Sequence, residues 1–292
     1  MNENNSCLTI LQLSDLHVLP TPEDRLLGIA TEHYFNACLE QAVRLRSRQA
    51  VCEFGTPTES PIERPAVSGV ERTFDLILLT GDLAQDPCRD SYLRILNSLE
   101  SYKTPCLCLP GNHDDYPLMQ QVFHTDRVNC RKQVFLDNWQ LISLNSQIPG
   151  EQGGHLSKQE LFFLEDCLSA NPNHHALIAL HHHCLETKSP WMDSMILDNR
   201  LELLAITEKY PQVKVITNGH IHQVLDIKLP TVRVLGAPST CFQFVPGATE
   251  FGVNDMAPGY RLIDLYADGR VESQVVRLPE PLVGLQMNKY EY

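Results

Sequence analysis

Short apolar runs alternate with amphipathic stretches along most of the chain, which is the pattern of an α/β protein. The apolar runs are rich in Ile, Leu and Val and predict strands at Leu8–Leu13, Phe74–Thr80, Pro105–Leu109, Trp139–Asn145, Ala176–Leu180 and Val213–Thr217. Apolar residues at helical spacing predict helices at Tyr34–Arg48, Ser91–Tyr102, Lys158–Leu168 and Asn199–Tyr210. The pattern therefore predicts an α/β fold in which strands and helices alternate.

Three stretches depart from this alternation. Gln49–Arg72 is interrupted by prolines and glycines and has no periodicity, so we expect an exposed loop or insertion. Residues 223–278 change to short strands and turns, and Arg261–Tyr266 with Val271–Val276 resembles a hairpin. Residues 279–292 are expected to be loosely ordered or docked on a neighbour. We therefore predict one domain over residues 1–278, followed by a C-terminal tail.

The charge balance limits the classes of partner. The chain has 292 residues, with 23 Lys and Arg against 36 Asp and Glu, so its formal net charge is −13 with 12 histidines counted as neutral. Nucleic acids and anionic membranes require a positive protein surface, so we expect neither as a partner. A small phosphate-bearing substrate remains compatible with this charge if a metal supplies positive charge locally.

Cysteine usage and the first residues predict a cytoplasmic protein. The ten cysteines include no C-x-x-C pair, and the segment from Met1 to Ser6 lacks the positive and apolar regions of a signal peptide. No apolar run approaches the roughly 18 residues that a membrane helix requires. We expect reduced and mostly structural thiols in a protein of the cytoplasm.

Residues of metal-binding types follow five of the predicted strands. Because ligands of α/β sheets bind outside the carboxyl ends of the strands, we expect the five segments to converge on one site. Glycines before Asp82, Asn112 and His220 let the backbone turn sharply and bring the next side chain inward. The candidate metal ligands are Asp15, His17, Asp82, Asn112, His181, His220 and His222.

The spacing and the number of these candidates indicate two metal ions. Asp15 and His17 are separated by one residue, as are His220 and His222, and extended backbone sends such side chains to the same face. The candidates are too many for one ion but suit two divalent metals that share a bridging carboxylate. Imidazole and carboxylate ligands favour Mn, Fe, Zn or Co over Ca, and the lack of thiolates argues against a structural zinc site. Phosphatases and nucleases use two metals about 3.5–4 Å apart for displacement at phosphorus.

The same segments resemble the five-block signature of the calcineurin-like metallophosphoesterases, over Ile10 to Tyr266. This resemblance implies a four-layer αββα sandwich, in which two mixed sheets are flanked by helices. One departure is Cys184, which stands where that family usually has proline. Longer matches resemble the bacterial class III 3′,5′-cyclic AMP phosphodiesterases: LTGDLAQD (79–86), LPGNHD (109–114), LHHH (180–183), NGHIHQ (218–223), PSTCFQF (238–244) and APGYR (257–261).

The resemblance also implies a dinuclear centre and a role for each candidate. Fe²⁺ and Mn²⁺ are the metals that it suggests, while Zn²⁺ or Co²⁺ would also suit the ligands. His113 would be the catalytic histidine that binds no metal and lies beside the scissile phosphate. The first metal would be held by Asp15, His17, Asp82 and His222, and the second by Asp82 as the bridge, Asn112, His181 and His220.

The implied activity is hydrolysis of 3′,5′-cyclic AMP to 5′-AMP by a metal-bound hydroxide, which would lower cyclic AMP inside the cell. The main alternative is a broader phosphodiesterase or phosphatase that acts on 2′,3′-cyclic nucleotides or other phosphate esters. A non-catalytic scaffold of the same fold is a second alternative. A homodimer would fit the family. The residues expected to contact the cyclic nucleotide are His17, Asp82, Asn112, His113, His181 and His222.

Overall fold

The structure is a computed structural model that describes residues 7–53 and 73–287. The helices are α1 (Thr31–Glu53), α2 (Arg89–Glu100), α3 (Tyr116–Val122), α4 (Lys158–Ala170), α5 (Pro190–Asp193) and α6 (Arg200–Lys209). The first strands are β1 (Cys7–Leu13), β2 (Leu76–Thr80), β3 (Cys106–Leu109), β4 (Val128–Asn129), β5 (Gln133–Leu136), β6 (Trp139–Ser143) and β7 (His175–Leu180). The remaining strands are β8 (Val213–Asn218), β9 (Leu225–Lys228), β10 (Arg233–Gly236), β11 (Gln243–Phe244), β12 (Val253–Asn254), β13 (Gly259–Tyr266) and β14 (Val271–Arg277).

The strands form two mixed sheets and a short ribbon. The first sheet has the order β14-β13-β1-β2-β3-β4, with β1 to β4 parallel and β13 and β14 antiparallel at one edge. The second has the order β5-β6-β7-β8-β10-β9, and its inner strands are parallel. β11 and β12 pair separately as an antiparallel ribbon. Because these strands are parallel, the carboxyl ends of β1, β2 and β3 lie at one edge of the first sheet, and those of β7 and β8 lie at one edge of the second.

Alternate residues of the strands pack into different layers. On β1, Ile10 faces the second sheet and packs with residues such as Leu177 and Val215, whereas Leu11 packs against helices. Helices α1, α2 and α3 cover the outer face of the first sheet, and α4 and α6 cover that of the second. The molecule is therefore the predicted αββα sandwich. The nine cysteines whose side chains the structure describes are free thiols, and most of these are buried.

The observed elements agree with most of the predicted ones, with one correction at α1. This helix continues through Glu53, so the start of the loop predicted at Gln49–Arg72 is wrong, and residues 54–72 of that loop lie outside the described residues. The predicted hairpin is confirmed, because β13 and β14 pair antiparallel from Gly259 opposite Arg277. Among the described helices, none combines the length and the apolar character needed to cross a membrane.

The C-terminal tail contacts α1 and the loop before it. The backbone N–H of Val283 donates to the Tyr34 hydroxyl at 2.7 Å, and that of Gln286 donates to the Leu27 carbonyl at 2.9 Å. Leu282 and Leu285 pack against a buried cluster that also contains Ile221, the residue between two candidate ligands. Residues 282–286 of the tail therefore contact the body of the same chain.

Deleting residues 279–292 is expected to lower the melting temperature. Leu282 and Leu285 are partly buried in this contact, and losing their burial removes about 2 kcal/mol, which corresponds to about 4–8 °C in a domain of this size. Thermal unfolding measures the shift. Leu282→Ala with Leu285→Ala in the full chain should reproduce most of it, whereas Val283→Ala, at a side chain that is 78% exposed, should not. An unchanged melting temperature after truncation would contradict the docking contact.

Candidate metal centre

The loops that follow five parallel strands meet at one place, as the sequence predicts. Their carboxylate and imidazole ligand atoms form overlapping groups, in each of which the atoms lie within 4.8 Å of one another. One group is Asp15, His17 and His222, and another is Asp15, Asp82 and His181. Asn112 joins them, because its Oδ1 lies 3.1 Å from His181 Nε2. Two further groups are His17–Asp82–His113 and His181–His182–His220. Because the groups share residues, all seven candidate ligands belong to one cluster.

The backbone is strained at most of these positions. A positive φ is costly for residues other than glycine, about 1–3 kcal/mol each, and such residues concentrate at functional sites. The loops hold them because the surrounding strands and hydrogen bonds fix the turn; for example, the Asp15 N–H donates to the Gly81 carbonyl at 3.0 Å. The candidate ligands in this conformation are Asp15 (53°), His17 (47°), Asp82 (51°), His220 (67°) and His222 (45°).

Two glycines permit the close approach of the loops. Gly81 has φ of 87°, and a Cβ there would collide with the His181 ring. A Cβ on Gly111 would collide with the Asp82 carboxylate. The Gly-Asp and Gly-Asn-His-Asp motifs therefore require glycine because one ligand loop packs closely against another.

Three of the imidazoles are oriented in the same way, by a hydrogen bond that Nδ1–H donates to an oxygen. Such a bond fixes the ring and leaves Nε2 to face the cluster, as is typical of metal-binding histidines. The acceptors are Gln85 Oε1 at 2.7 Å from His17, the Thr80 carbonyl at 2.8 Å from His181 and the Phe242 carbonyl at 2.9 Å from His222.

The atoms that face the cluster suit cations. His17 Nε2 and His222 Nε2 are 3.2 Å apart, and in neutral rings both carry lone pairs, which repel at this distance unless a cation lies beside them. The buried Nε2 of His220 has no hydrogen-bond partner among the described residues. Both carboxylate oxygens of Asp15 also lie here and accept from the His220 backbone N–H at 3.0 and 3.1 Å. The donor set of imidazoles, carboxylates and one amide oxygen therefore fits divalent transition metals.

Asp82 occupies the middle of the cluster. Its Oδ2 lies 3.3 Å from His181 Nε2 and 3.8 Å from His17 Nε2, which belong to the two halves of the predicted centre. Its Oδ1 accepts from the backbone N–H of His113 at 3.0 Å. A carboxylate with these neighbours could serve as the bridge that the resemblance implies.

The pKa values in the cluster follow from burial and from the carboxylates. Burial lowers the pKa of His17 to about 3 and that of His220 well below its usual value. Burial acts on His181 as well, but the Asp82 carboxylate outweighs it and raises the pKa of His181 to about 9. Burial would raise the pKa of Asp82, yet the His181 and His113 imidazoles hold it well below its usual range. A metal that binds Nε2 of His181 must therefore displace a proton from that nitrogen.

The cluster opens to solvent on one side. Asn112 and His113 are partly exposed, whereas the other candidate ligands are buried. The His113 ring meets the His17 ring edge-on, with centroids 5.1 Å apart, and its Nδ1 lies 3.4 Å from the Gln85 carbonyl. His113 therefore lies at the mouth of the cluster, where a substrate would enter.

Three positioning residues were not among the predicted site residues. Gln85 holds His17 through its side chain and His113 through its carbonyl. The Asp114 carboxylate accepts hydrogen bonds from the backbone N–H groups of Leu83, Ala84 and Gly111, and so joins two ligand loops. The Phe242 carbonyl comes from a distant segment. Gln85 and Asp114 could have been found because they lie next to the Gly-Asp and Gly-Asn-His motifs. No sequence pattern marks a backbone carbonyl such as that of Phe242.

Replacing Gln85 with leucine is expected to weaken metal binding or activity about 10–100-fold, the range for residues that orient a metal ligand. The side chain keeps its size but can no longer accept the Nδ1–H of His17. Titration of the metal into the apoprotein, together with kcat, measures the effect. Gln85→Glu, which restores an acceptor, should recover most of it. If leucine and glutamate behave alike, the hydrogen bond to His17 has no role.

Linked groups of histidine and aspartate at the carboxyl ends of strands in a two-sheet sandwich define the class of dinuclear metallohydrolases. The chain belongs to the calcineurin-like phosphoesterase family, whose model matches residues 8–224. It is 36% identical over 272 residues to the 3′,5′-cyclic adenosine monophosphate phosphodiesterase CpdA of Escherichia coli K12, covering 93% of this chain and 90% of that protein.

Further comparisons agree on family and fold. The chain is 36% identical over 275 residues to a 3′,5′-cyclic-nucleotide phosphodiesterase of Nostoc, covering 94% of each protein. A dimetal phosphatase from Danio rerio superposes with a TM-score of 0.56 at 12% identity, covering 92% of this chain and 98% of that one. At 12% identity, the similarity to the Danio rerio phosphatase shows the fold alone.

Proposed function

We propose that the protein hydrolyses 3′,5′-cyclic AMP to 5′-AMP at this cluster. The observation that carries the proposal is the convergence of imidazole and carboxylate groups around Asp82, at the end of the cluster that opens beside His113. Relatives that align with more than nine-tenths of the chain are named as cyclic-nucleotide phosphodiesterases, which supports this substrate class.

We propose a division of the ligands between two metal ions that share Asp82. The ligand atoms of Asp15, His17 and His222 form one compact group. Asn112 Oδ1 lies 3.1 Å from His181 Nε2, and His181 also groups with His220. The first metal would be held by Asp15, His17, Asp82 and His222, and the second by Asp82, Asn112, His181 and His220. Fe²⁺ and Mn²⁺ suit these ligands, and local availability decides between such metals in many proteins.

Two cations at this site would also explain how so acidic a chain binds a phosphate ester. When present, two divalent cations offset the charge on the phosphoryl oxygens and activate water at neutral pH. A chain of net charge −13 can therefore accept an anionic substrate without a basic groove.

The role of His113 follows from the bond that breaks. Hydrolysis adds water across the bond between phosphorus and the 3′-oxygen, and that oxygen must gain a proton as it leaves. We propose that His113 Nε2 donates this proton or stabilises charge on the phosphoryl group, while its Nδ1 is oriented by the Gln85 carbonyl at 3.4 Å. A positioned acid of this kind contributes about 10²–10⁴-fold to the rate. His17, Asp82, Asn112, His181 and His222 would complete the surface that the phosphate meets.

A substrate panel on metal-reconstituted protein tests the proposal. We expect kcat/KM to be highest for 3′,5′-cyclic AMP, with 5′-AMP as product, and lower for 2′,3′-cyclic AMP and for bis(p-nitrophenyl) phosphate. Equal or higher values for the other esters would favour a broader phosphodiesterase. No hydrolysis of any ester by protein that contains two metals would favour a non-catalytic scaffold. Metal analysis of the same sample identifies the ions.

A further inference from the structure

An apolar rim lies beside the metal-ligand cluster, and we call it the hairpin rim. It consists of Trp191 at the start of α5 and of Val245 and Phe251, which lie between β11 and β12. The Trp191 and Phe251 rings are in contact, with centroids 5.4 Å apart and planes at 72°. Val245 is 36% exposed, and the two rings are partly exposed. Solvent therefore reaches an apolar surface here.

The Phe244 ring joins the hairpin rim to the cluster. The buried Phe244 side chain stacks on the His222 imidazole, with centroids 4.1 Å apart and planes at 23°. On the rim side, Trp191 meets Phe244 at 84°, with centroids 5.0 Å apart. The backbone N–H of Trp191 also donates to the Ala248 carbonyl at 3.4 Å, which ties α5 to the hairpin. One ring, Phe244, therefore lies between the Trp191 indole and His222, a proposed metal ligand.

A cyclic nucleotide has two chemically different ends, and the cluster accounts for only one of them. Cations held by the carboxylates and imidazoles would bind the cyclic phosphate, whereas a flat purine base is recognised by aromatic and apolar side chains on which it can stack. The hairpin rim supplies such side chains at the border of the cluster. We propose that it binds the purine base of the substrate, with Trp191 as the stacking surface. This inference rests on the proposed function.

A second copy of the chain is the alternative occupant of the rim. A stable interface buries about 800 Å² on each partner, far more than three side chains provide. The buried side chains beneath Trp191 and Phe251 form one apolar cluster that includes Phe244, and the Phe244 ring reaches the His222 imidazole of the metal-ligand cluster. These features favour a small planar ligand.

The experiment compares Trp191→Ala with Trp191→Phe. The alanine variant should raise KM for 3′,5′-cyclic AMP about tenfold with little change in kcat, because base stacking contributes to binding and not to the chemical step. Inhibition by 5′-AMP should weaken by the same factor, while inhibition by ribose 5-phosphate, which lacks the base, should not change. Phenylalanine, which keeps an aromatic face, should restore most of the affinity.

Tryptophan fluorescence gives a direct reading of binding. The chain has two tryptophans, and Trp139 is buried between the sheets, where its Nε1 donates to the Tyr266 carbonyl at 2.9 Å. Addition of 5′-AMP should therefore quench Trp191 emission, and ribose 5-phosphate should not.

Val245→Ser tests the rim without altering Trp191 and should also raise KM. Phe162→Ala, at a ring that is 72% exposed on α4, is the control for loss of a surface apolar group.

The outcomes separate this inference from the proposed function. If the native protein does not hydrolyse cyclic AMP, the proposed function fails, and the difference between 5′-AMP and ribose 5-phosphate as inhibitors of model-ester hydrolysis still decides base binding. If cyclic AMP is hydrolysed but Trp191→Ala leaves KM unchanged, the inference is wrong. Equal weakening of both inhibitors, or conversion of a dimer to a monomer with no specific loss of 5′-AMP binding, would also overturn it.

Discussion

Replacing His113 with alanine is expected to lower kcat for cyclic AMP about 10²–10⁴-fold while two metal ions remain bound. The side chain lies at the mouth of the cluster and is not among the proposed ligands, so its loss removes a proton donor and leaves the metal sites intact. The backbone N–H that bonds Asp82 Oδ1 at 3.0 Å is kept in the variant. Steady-state kinetics with metal analysis of the same sample measures both quantities.

The pattern of substrates makes this expectation sharper. An ester with a good leaving group, such as bis(p-nitrophenyl) phosphate, needs less help from an acid, so its hydrolysis should fall less than that of cyclic AMP. His155→Ala is the matched control, because His155 is exposed and bonds Asp198 Oδ1 at 2.7 Å. The role of His113 would be refuted if the variant turned over cyclic AMP at the native rate. Loss of metal in parallel with activity would instead make His113 a ligand.

Replacing Asp82 with asparagine is expected to abolish activity, by at least about a thousandfold, through loss of the bridging charge. Asparagine has the same shape and can still accept the His113 N–H, but it lacks the anionic oxygen that lies 3.3 Å from His181 and 3.8 Å from His17. Metal content should fall from two ions to one or none. Plasma emission spectrometry and calorimetric titration of the apoprotein measure the loss.

The control for this substitution lies in the same loop. Asp86 is exposed, and Asp86→Ala should keep both the metal content and kcat. Far-ultraviolet circular dichroism of Asp82→Asn should match the native protein, because the sandwich core does not include this carboxylate. Two ions bound with native affinity in Asp82→Asn would show that Asp82 does not bridge them.

The sequence was informative where one local rule determines the structure. Buried parallel strands have continuous apolar runs, so β1, β2, β3, β7 and β8 are each predicted within about two residues of their observed ends. The polar residues that follow those strands then converge because the strands are parallel. For this reason the candidate ligands could be predicted without knowledge of the tertiary structure.

Contacts between distant segments could not be predicted in this way. Neither the docking of Gln286 on Leu27 nor the bond from His222 to the Phe242 carbonyl has a local signal. The error at α1 has a different cause. Prolines and glycines after Gly55 suggested an irregular segment, although residues 49–53 contain neither and continue the helix. Apart from the hairpin of β13 and β14, the C-terminal strands were predicted only as a class, because their pairing depends on tertiary packing.

The left-handed backbone at Asp15, His17, Asp82, His220 and His222 also has an evolutionary consequence. Each of these conformations costs a residue other than glycine about 1 kcal/mol or more, a cost that metal binding by the aspartates and histidines would offset. A descendant that no longer binds metal gains stability by acquiring glycine or asparagine at these positions. Among homologous sequences, glycine at two or more of them would therefore mark a lineage that has abandoned catalysis and kept the sandwich for another purpose.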